Sequence, residues 1–191
     1  MKITGVILAG GESRRFGKPK AFAKYRGKEF YLHSIEAMGH ITSKVSIIAK
    51  KEHFPFYSND FHVLEDVKTF RGLGPLAGLY TIMDYEDSEW YMTLPVDTPR
   101  VNEAVLKTLL PCQNEAVQAY VPIVNDRIQP LVAIYHHSAK QTIYDLLVNG
   151  KRSMRDLLNN IHVKYIPYDK TEERYFQNIN TQAEFLNLPL E

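Results

Sequence analysis

The chain has 191 residues, of which 45% are hydrophobic and 24% are charged, and its formal net charge is +1. This composition is ordinary for a folded globular protein, and we expect neither nucleic acid nor a membrane as a partner. The single cysteine, Cys112, excludes an internal disulfide framework and favours a reducing cytoplasm. No apolar run reaches the ~20 residues that cross a bilayer, and the first residues do not resemble a leader peptide.

Strand and helix patterns alternate along the first half of the chain. Residues 3–9 are almost continuously apolar, which is typical of a strand covered on both faces in a parallel sheet, and they end at Gly10-Gly11. The periodicity then predicts, in order, a helix over 30–38, strands over 45–49 and 61–64, a helix over 75–83, a strand over 90–96 and a helix capped by Asn102.

The pattern changes in the second half. Residues 117–124 and 127–136 look like two strands around a turn at Asn125-Asp126, which indicates an antiparallel excursion. The remaining predicted elements are helices over 138–148 and 153–159, short strands over 163–166 and 175–178, and a last helix with a capping box of Thr181 and Glu184. The sequence therefore predicts an α/β fold: one Rossmann-like domain over 1–191 with a mostly parallel sheet and helices on both faces.

The strongest functional pattern is the segment LAGGESRRFGKPK, residues 8–20. A buried strand delivers this segment to the carboxyl edge of the sheet, where open α/β sheets bind ligands. Gly10 and Gly11 would let the backbone approach a ligand and adopt dihedrals closed to other residues, and successive N–H groups there can bind an anion. Arg15 and Lys20 lie where a triphosphate would need cations. The alternative is a tight turn followed by an exposed basic loop.

The spacing of these glycines limits the kind of nucleotide site. It matches neither GxxxxGK[ST] nor GxGxxG, so kinases, motor-type NTPases and dehydrogenases are disfavoured. No histidine pair and no Gly-x-Ser-x-Gly context supplies a general base or a hydrolase nucleophile. The sequence therefore predicts a nucleotide site that uses neither a histidine general base nor a hydrolase nucleophile.

Two aspartates follow predicted strands. Asp97 ends the strand over 90–96, so we expect it to face the same crevice as the glycine-rich turn. Mg²⁺ takes one or two carboxylates together with phosphate and water, which makes Asp97 a candidate metal ligand, although it could instead cap the next turn. Asp66 also ends a strand and precedes a second glycine-rich turn over 72–78. The small residues of that turn would either let a planar base approach the backbone or pack a helix against a strand.

Together these residues resemble the molybdenum-cofactor guanylyltransferase (MobA) family. The first motif is shared with the wider nucleotidyltransferase superfamily, whereas the double glycine and the GPLAG and DTP segments favour the guanylyl branch. The matching segments follow the family's order: LAGG-x-S-x-RFG-x-x-K at 8–20, GPLAG at 74–78, P-x-DTP at 95–99, QPLVA at 129–133 and NINT at 178–181.

The resemblance implies a nucleotide-diphospho-sugar-transferase-like fold and a reaction of GTP with molybdopterin carrying molybdenum, giving a guanine dinucleotide and pyrophosphate with Mg²⁺ as cofactor. It also implies contact with other molybdenum-cofactor proteins. Asp97 would hold the metal, Asp66 the nucleoside, and Asn178 and Asn180 look like the family's asparagines near the pterin-side pocket. The nucleotide-binding residues carried over are Leu8, Ala9, Gly10, Gly11, Lys20, Asp66, Gly74 and Asp97.

Nucleotidyl transfer joins two anions, so its first requirement is the neutralisation of charge. Arg15, Lys20 and Mg²⁺ on Asp97 are the expected catalytic groups, acting by electrostatics and positioning. An acceptor phosphate is already ionised, so no general base is needed. The alternatives are a cytidylyl- or sugar-phosphate nucleotidyltransferase with the same loop, and a non-catalytic GTP-binding module that delivers nucleotide or cofactor to a partner.

Overall fold

A computed structural model describes residues 1–11, 19–111, 116–181 and 183–184, so Cys112 lies outside the described residues. The strands of this part of the chain are β1 Ile3–Leu8, β2 Lys24–Tyr25, β3 Lys28–Glu29, β4 Lys44–Ile48, β5 His62–Leu64, β6 Trp90–Pro95, β7 Ala119–Val124, β8 Arg127–Ile128, β9 Ala133–His136 and β10 Val163–Tyr168. The α-helices are α1 Phe30–Met38, α2 Pro75–Tyr85, α3 Glu103–Lys107, α4 Lys140–Val148 and α5 Met154–Leu158.

One eight-stranded sheet organises these elements, in the order β10-β7-β9-β6-β1-β4-β5, with β8 paired to β7. Strand β1 is central and runs parallel to both β4 and β6, and β10 runs parallel to β7. Strand β9 runs antiparallel to its neighbours β6 and β7, and β8 is antiparallel to β7. The mostly parallel sheet with a small antiparallel excursion is therefore confirmed.

Helices cover both faces of the sheet, which explains the nearly continuous apolar character of β1. Side chains alternate along a strand, so Ile7 enters the core beneath α1 and α3 while Val6 enters the core beneath α2, α4 and α5. Both residues are completely buried. No helix in the described ranges is long and apolar enough to cross a membrane.

The prediction of one continuous strand over 127–136 is wrong. The turn at Asn125-Asp126 is present, with positive φ at both residues (48° and 59°), but the following strand breaks into β8 and β9. Between them the backbone turns, and Val132 N donates to Gln129 O at 3.1 Å. Pro130 lies in this break, where it has no N–H to give to a sheet ladder.

The strand predicted over 175–178 is also wrong. Residues Lys170–Phe176 form a 3₁₀ helix instead. Its start is fixed by Asp169, whose side chain accepts from the backbone N–H groups of Thr171 and Glu172 while Glu172 accepts from the N–H of Asp169. This capping box satisfies the unpaired donors of a helix start locally, which favours the helical turn over an extended segment. The second box, of Thr181 with Glu184, is confirmed by bonds of 3.1 Å in both directions.

Helix α2 packs unusually close to β1 and β4. Its first turn therefore lies at the edge of the sheet. A Cβ added at Gly78 would lie 2.9 Å from Leu8 Cδ2 and 3.3 Å from Ile48 Cγ2. Glycine at this position therefore allows the close approach of helix and sheet. The small residues of GPLAG serve helix–strand packing at Gly78, and they also bring Gly74 to the end of β1.

Candidate functional site

A cleft of about 380 Å³ opens at the carboxyl edge of strands β1, β4 and β6. The structure gathers there every nucleotide-binding residue named from the sequence, namely Leu8, Ala9, Gly10, Gly11, Lys20, Asp66, Gly74 and Asp97. Residues from three separate parts of the chain thus meet in one concave surface, at the place where open α/β sheets bind ligands.

Two neighbouring parallel strands bring the glycine-rich turn and Asp97 together. Leu8 pairs with Pro95 across β1 and β6, and Val96 N donates to Leu8 O at 3.2 Å. Both chains leave the sheet at the same level, so Gly10 and Asp97 open onto the same cleft. The expectation that these two segments face a common crevice is confirmed.

The glycine pair differs from expectation in its backbone conformation. Neither Gly10 nor Gly11 has the left-handed φ that favours glycine. Apart from its chain neighbours, a Cβ added at either residue would meet no atom of the described residues within 4 Å. Packing against this described part of the chain therefore does not require glycine, but the missing side chains leave the backbone open on the cleft side, so a ligand can come close to it.

Lys20 forms the polar centre of the cleft. It begins a short 3₁₀ helix, Lys20–Phe22, and its Nζ donates to Asp97 Oδ2 at 3.0 Å and to Asn180 Oδ1 at 2.8 Å. The exposed fractions of the Lys20 and Asp97 side chains are 11% and 22%, so this ion pair is largely shielded from solvent. A partly buried cation held by two fixed acceptors keeps a defined position at the mouth of the cleft.

The carboxyl-terminal segment is tied to the same centre. Ile179 N donates to Asp97 O at 2.9 Å, and the neighbouring Asn180 side chain reaches Lys20. Asn180 therefore lies in the polar centre itself. Asn178, in contrast, is exposed, and its side chain makes no hydrogen bond to the described part of the chain.

Asp66 lies on the wall of the cleft formed by the second glycine-rich turn. Its Oδ2 accepts from Gly72 N at 3.0 Å, and the turn needs glycine because φ is +73° at Gly72 and +83° at Gly74. Burial raises the pKa of the Asp66 carboxyl above its usual range, and the hydrogen bond from Gly72 opposes part of that rise. A partly desolvated carboxylate on a cleft wall is suited to accept hydrogen bonds from a ligand.

We expect Asp66→Asn to separate ligand binding from stability. The raised pKa means that the folded protein binds the Asp66 proton more tightly than the unfolded chain does, so ionised Asp66 disfavours folding as the pH rises past the unfolded value of about 3.9. At pH 7 the variant should have a Tm equal to or above the wild type, with the difference shrinking towards pH 4. Its affinity for GTP should fall about ten-fold through the lost charged acceptor.

Thermal unfolding across pH and calorimetric titration with GTP measure the two effects. Asp145→Asn, at an exposed position on α4, is the matched control and should change neither. A variant that lost stability at pH 7 while keeping its GTP affinity would contradict the assignment of Asp66 to the ligand.

Some cleft residues were not identified from the sequence. Gly72 holds Asp66 through its backbone N–H, and Leu131 lines the cleft from the loop between β8 and β9. The sequence contained a signal for each of these residues, since Gly72 is part of the glycine-rich turn and Leu131 lies in the QPLVA segment. Arg15 lies outside the described residues, so its place at a triphosphate stays a prediction.

The fold is one that solved nucleotidyltransferases also have, and the cleft lies at the edge of its sheet. The architecture is similar to the crystal structure of molybdopterin-guanine dinucleotide biosynthesis protein A from Archaeoglobus fulgidus, with a TM-score of 0.79 and 22% identity over 96% of this chain and 95% of that one. It is also similar to 2-C-methyl-D-erythritol 4-phosphate cytidylyltransferase from Thermus thermophilus, with a TM-score of 0.73 and 14% identity over 97% and 96% of the two chains.

Sequence comparison narrows this class to one family. The model of the MobA-like NTP transferase domain matches residues 5–165, and the chain belongs to this family. A probable molybdenum cofactor guanylyltransferase of Bacillus cereus (strain B4264) is 39% identical over 189 residues, which cover 96% of this chain and 94% of the relative. The Bacillus cytotoxicus protein of the same description is 37% identical over 97% of this chain and 96% of its own length.

Proposed function

We propose that this nucleotidyltransferase transfers GMP from GTP to the terminal phosphate of molybdopterin carrying molybdenum, forming molybdopterin guanine dinucleotide and releasing pyrophosphate. The observation that carries the proposal is the convergence of Lys20, Asp97 and Asn180 at the mouth of a cleft lined by the glycine-rich turn. The nearly full-length similarity to probable molybdenum cofactor guanylyltransferases supports this choice of substrates.

The reaction is a displacement at the α-phosphorus of GTP. An oxygen of the acceptor phosphate forms the new bond to phosphorus, and the bond to the bridging oxygen of the β-phosphate breaks, so the electron pair leaves with pyrophosphate. No proton has to be removed from the acceptor. The work of the protein is therefore to hold two anions in line and to offset their repulsion.

Lys20 is placed to do this. Asp97 and Asn180 fix its Nζ at the cleft mouth, so its charge is in position before the substrates arrive and little reorganisation is needed during transfer. The open backbone of Gly10 and Gly11 offers N–H groups to the phosphates, and Arg15 would add a second cation. Asp66 and the turn at Gly72 and Gly74 would receive the nucleoside.

The donor set at Asp97 fits Mg²⁺. Lys20 engages Oδ2, and within the described chain Oδ1 accepts no hydrogen bond, which leaves one carboxylate oxygen for a cation. We assign the site to Asp97 together with phosphate oxygens, because Mg²⁺ takes one or two carboxylates together with phosphate and water. When bound, Mg²⁺ would neutralise charge on those oxygens.

Pyrophosphate release tests the proposed substrates. Purified protein with Mg²⁺ and molybdopterin is incubated in turn with GTP, CTP, ATP and UTP. We expect kcat/KM for GTP to exceed that for the other nucleotides by at least about 100-fold, because a site that hydrogen-bonds one base leaves polar groups unpaired with another. A preference for CTP would favour the cytidylyltransferase alternative. GTP binding without pyrophosphate from any pair would favour a delivery module.

The proposal also includes the compartment of the reaction and the proteins that receive its product. We place it in the cytoplasm, because a protein with one cysteine is suited to a reducing compartment. We also propose that the product passes to other molybdenum-cofactor proteins. Co-purification of the guanine dinucleotide with such a protein, in the presence and absence of this enzyme, measures that transfer.

A further inference from the structure

A second cleft, of about 530 Å³, lies on the side of the sheet covered by α1 and α3. Its wall includes Pro99 and Arg100, which follow Asp97 by two and three residues along the chain. Two residues span at most about 7 Å, so this cleft begins beside the polar centre of the first one. The nucleotide binding proposed for the first cleft does not involve the second cleft.

Three arginines from distant parts of the chain meet in this second cleft. Arg26 comes from the β2–β3 hairpin, Arg100 from the segment before α3, and Arg174 from the 3₁₀ helix Lys170–Phe176. Within the described ranges none of the three forms an ion pair with a carboxylate. Each guanidinium keeps donors that suit carboxylate or phosphate oxygens.

The two carboxylates on the wall of the second cleft are already engaged. Glu36 pairs with Lys28, and Glu103 pairs with Lys107 at 2.7 Å. These ion pairs leave the charge of the arginines uncompensated, so the local field of the cleft is positive although the whole chain is nearly neutral. The other titratable side chains that line it are His33, His40, Tyr25 and Tyr175.

Two of the arginines lie beside tyrosine rings. The Cζ atom of Arg26 lies 5.3 Å from the centre of the Tyr25 ring, and that of Arg174 lies 5.0 Å from the centre of the Tyr175 ring. Arg174 also donates from Nη2 to Tyr175 Oη at 3.1 Å. Both guanidinium groups are therefore positioned beside aromatic side chains, where they can receive a planar anionic ligand. Arg100 is held more loosely, by a 3.5 Å contact with Gln177.

Arg26 has a backbone conformation that is unusual for arginine. Arg26 has φ of 50° and Gly27 has φ of 76°, so a long side chain occupies a left-handed turn position. Such positions favour glycine, asparagine or aspartate. This turn places Arg26 on the wall of the second cleft.

We propose that the second cleft binds the acceptor, a phosphorylated planar heterocycle, with its phosphate reaching past Pro99 towards Lys20 and Asp97. This proposal rests on the proposed function, which requires an anionic acceptor to present its phosphate at that point. The positive field offsets the acceptor's charge, and the arginines beside Tyr25 and Tyr175 receive its flat part.

Two single variants, Arg26→Gln and Arg100→Gln, test the proposal. Each removes one charged donor, so the Kd for molybdopterin, followed by its fluorescence, and the KM for it should rise about ten-fold. The Kd for GTP should stay within about two-fold, because neither residue lines the nucleotide cleft. Arg155→Gln, on α5 at the other face of the sheet, is the control and should leave both constants unchanged.

The possible outcomes distinguish a failure of this proposal from a failure of the proposed function. Transfer of GMP with unchanged acceptor Kd and KM in both variants would overturn the second cleft as the acceptor site and leave the enzyme activity standing. Weakened molybdopterin binding in the variants, with no transfer by the wild type, would support the cleft and reject the activity. Equal weakening of GTP and acceptor binding would also count against the cleft, since it would indicate a general structural effect.

Discussion

Asp97→Asn is expected to lower kcat/KM for GMP transfer by about 1,000-fold while the protein stays folded. The amide keeps the shape of the carboxylate but removes its charge, so the proposed Mg²⁺ ligand and the ion pair between Asp97 and Lys20 are lost. The fold should persist because the backbone of Asp97 still accepts from Ile179 N. Pyrophosphate release at several Mg²⁺ concentrations, together with Tm, measures both effects.

The control for this substitution is Asp84→Asn. Asp84 also pairs with a lysine, Lys140, at 3.0 Å, but on the surface, where an ion pair contributes little. Its activity should equal that of the wild type. If Asp97→Asn kept full activity with an unchanged Mg²⁺ requirement, the metal would have to be held elsewhere.

The sequence was sufficient for the first cleft because strand ends in an open α/β sheet share one edge. Residues 3–9 and 90–96 read as buried strands, so the residues that follow them, Gly10 and Asp97, could be expected on that edge. The pairing of Leu8 with Pro95 makes them neighbours. Strand order decides such neighbours, and the order β5-β4-β1-β6 is that of a doubly wound sheet, in which the first and fourth strands along the chain lie side by side.

Contacts between distant irregular segments could not be predicted in the same way. Asn180 reaches Lys20 across 160 residues of chain, and no periodicity encodes that contact. The 3₁₀ helix Lys170–Phe176 likewise depends on the local capping box at Asp169, which competed with the apolar pattern taken for a strand. The second cleft is assembled from three such segments together with α1, so only the structure reveals it.

Lys20→Ala is expected to lower kcat/KM by about 100-fold and to destabilise the fold by roughly 1–3 kcal/mol. The truncation removes the cation at the cleft mouth, leaves the charge of Asp97 uncompensated, and deprives Asn180 of its donor. The destabilisation should lower Tm by about 2–4 °C per kcal/mol for a chain of this size. Steady-state kinetics with GTP and thermal unfolding measure the two losses.

Two comparisons establish whether the effects of Lys20→Ala come from the polar centre. Lys24→Ala, four residues away and with a side chain 63% exposed, should leave both activity and Tm unchanged. Combining Lys20→Ala with Asn180→Ala should cost less than the sum of the single substitutions, because contacting residues share one interaction. Additive losses in that double-mutant cycle would mean that the two side chains act independently, and the preorganisation of Lys20 by the carboxyl-terminal segment would be wrong.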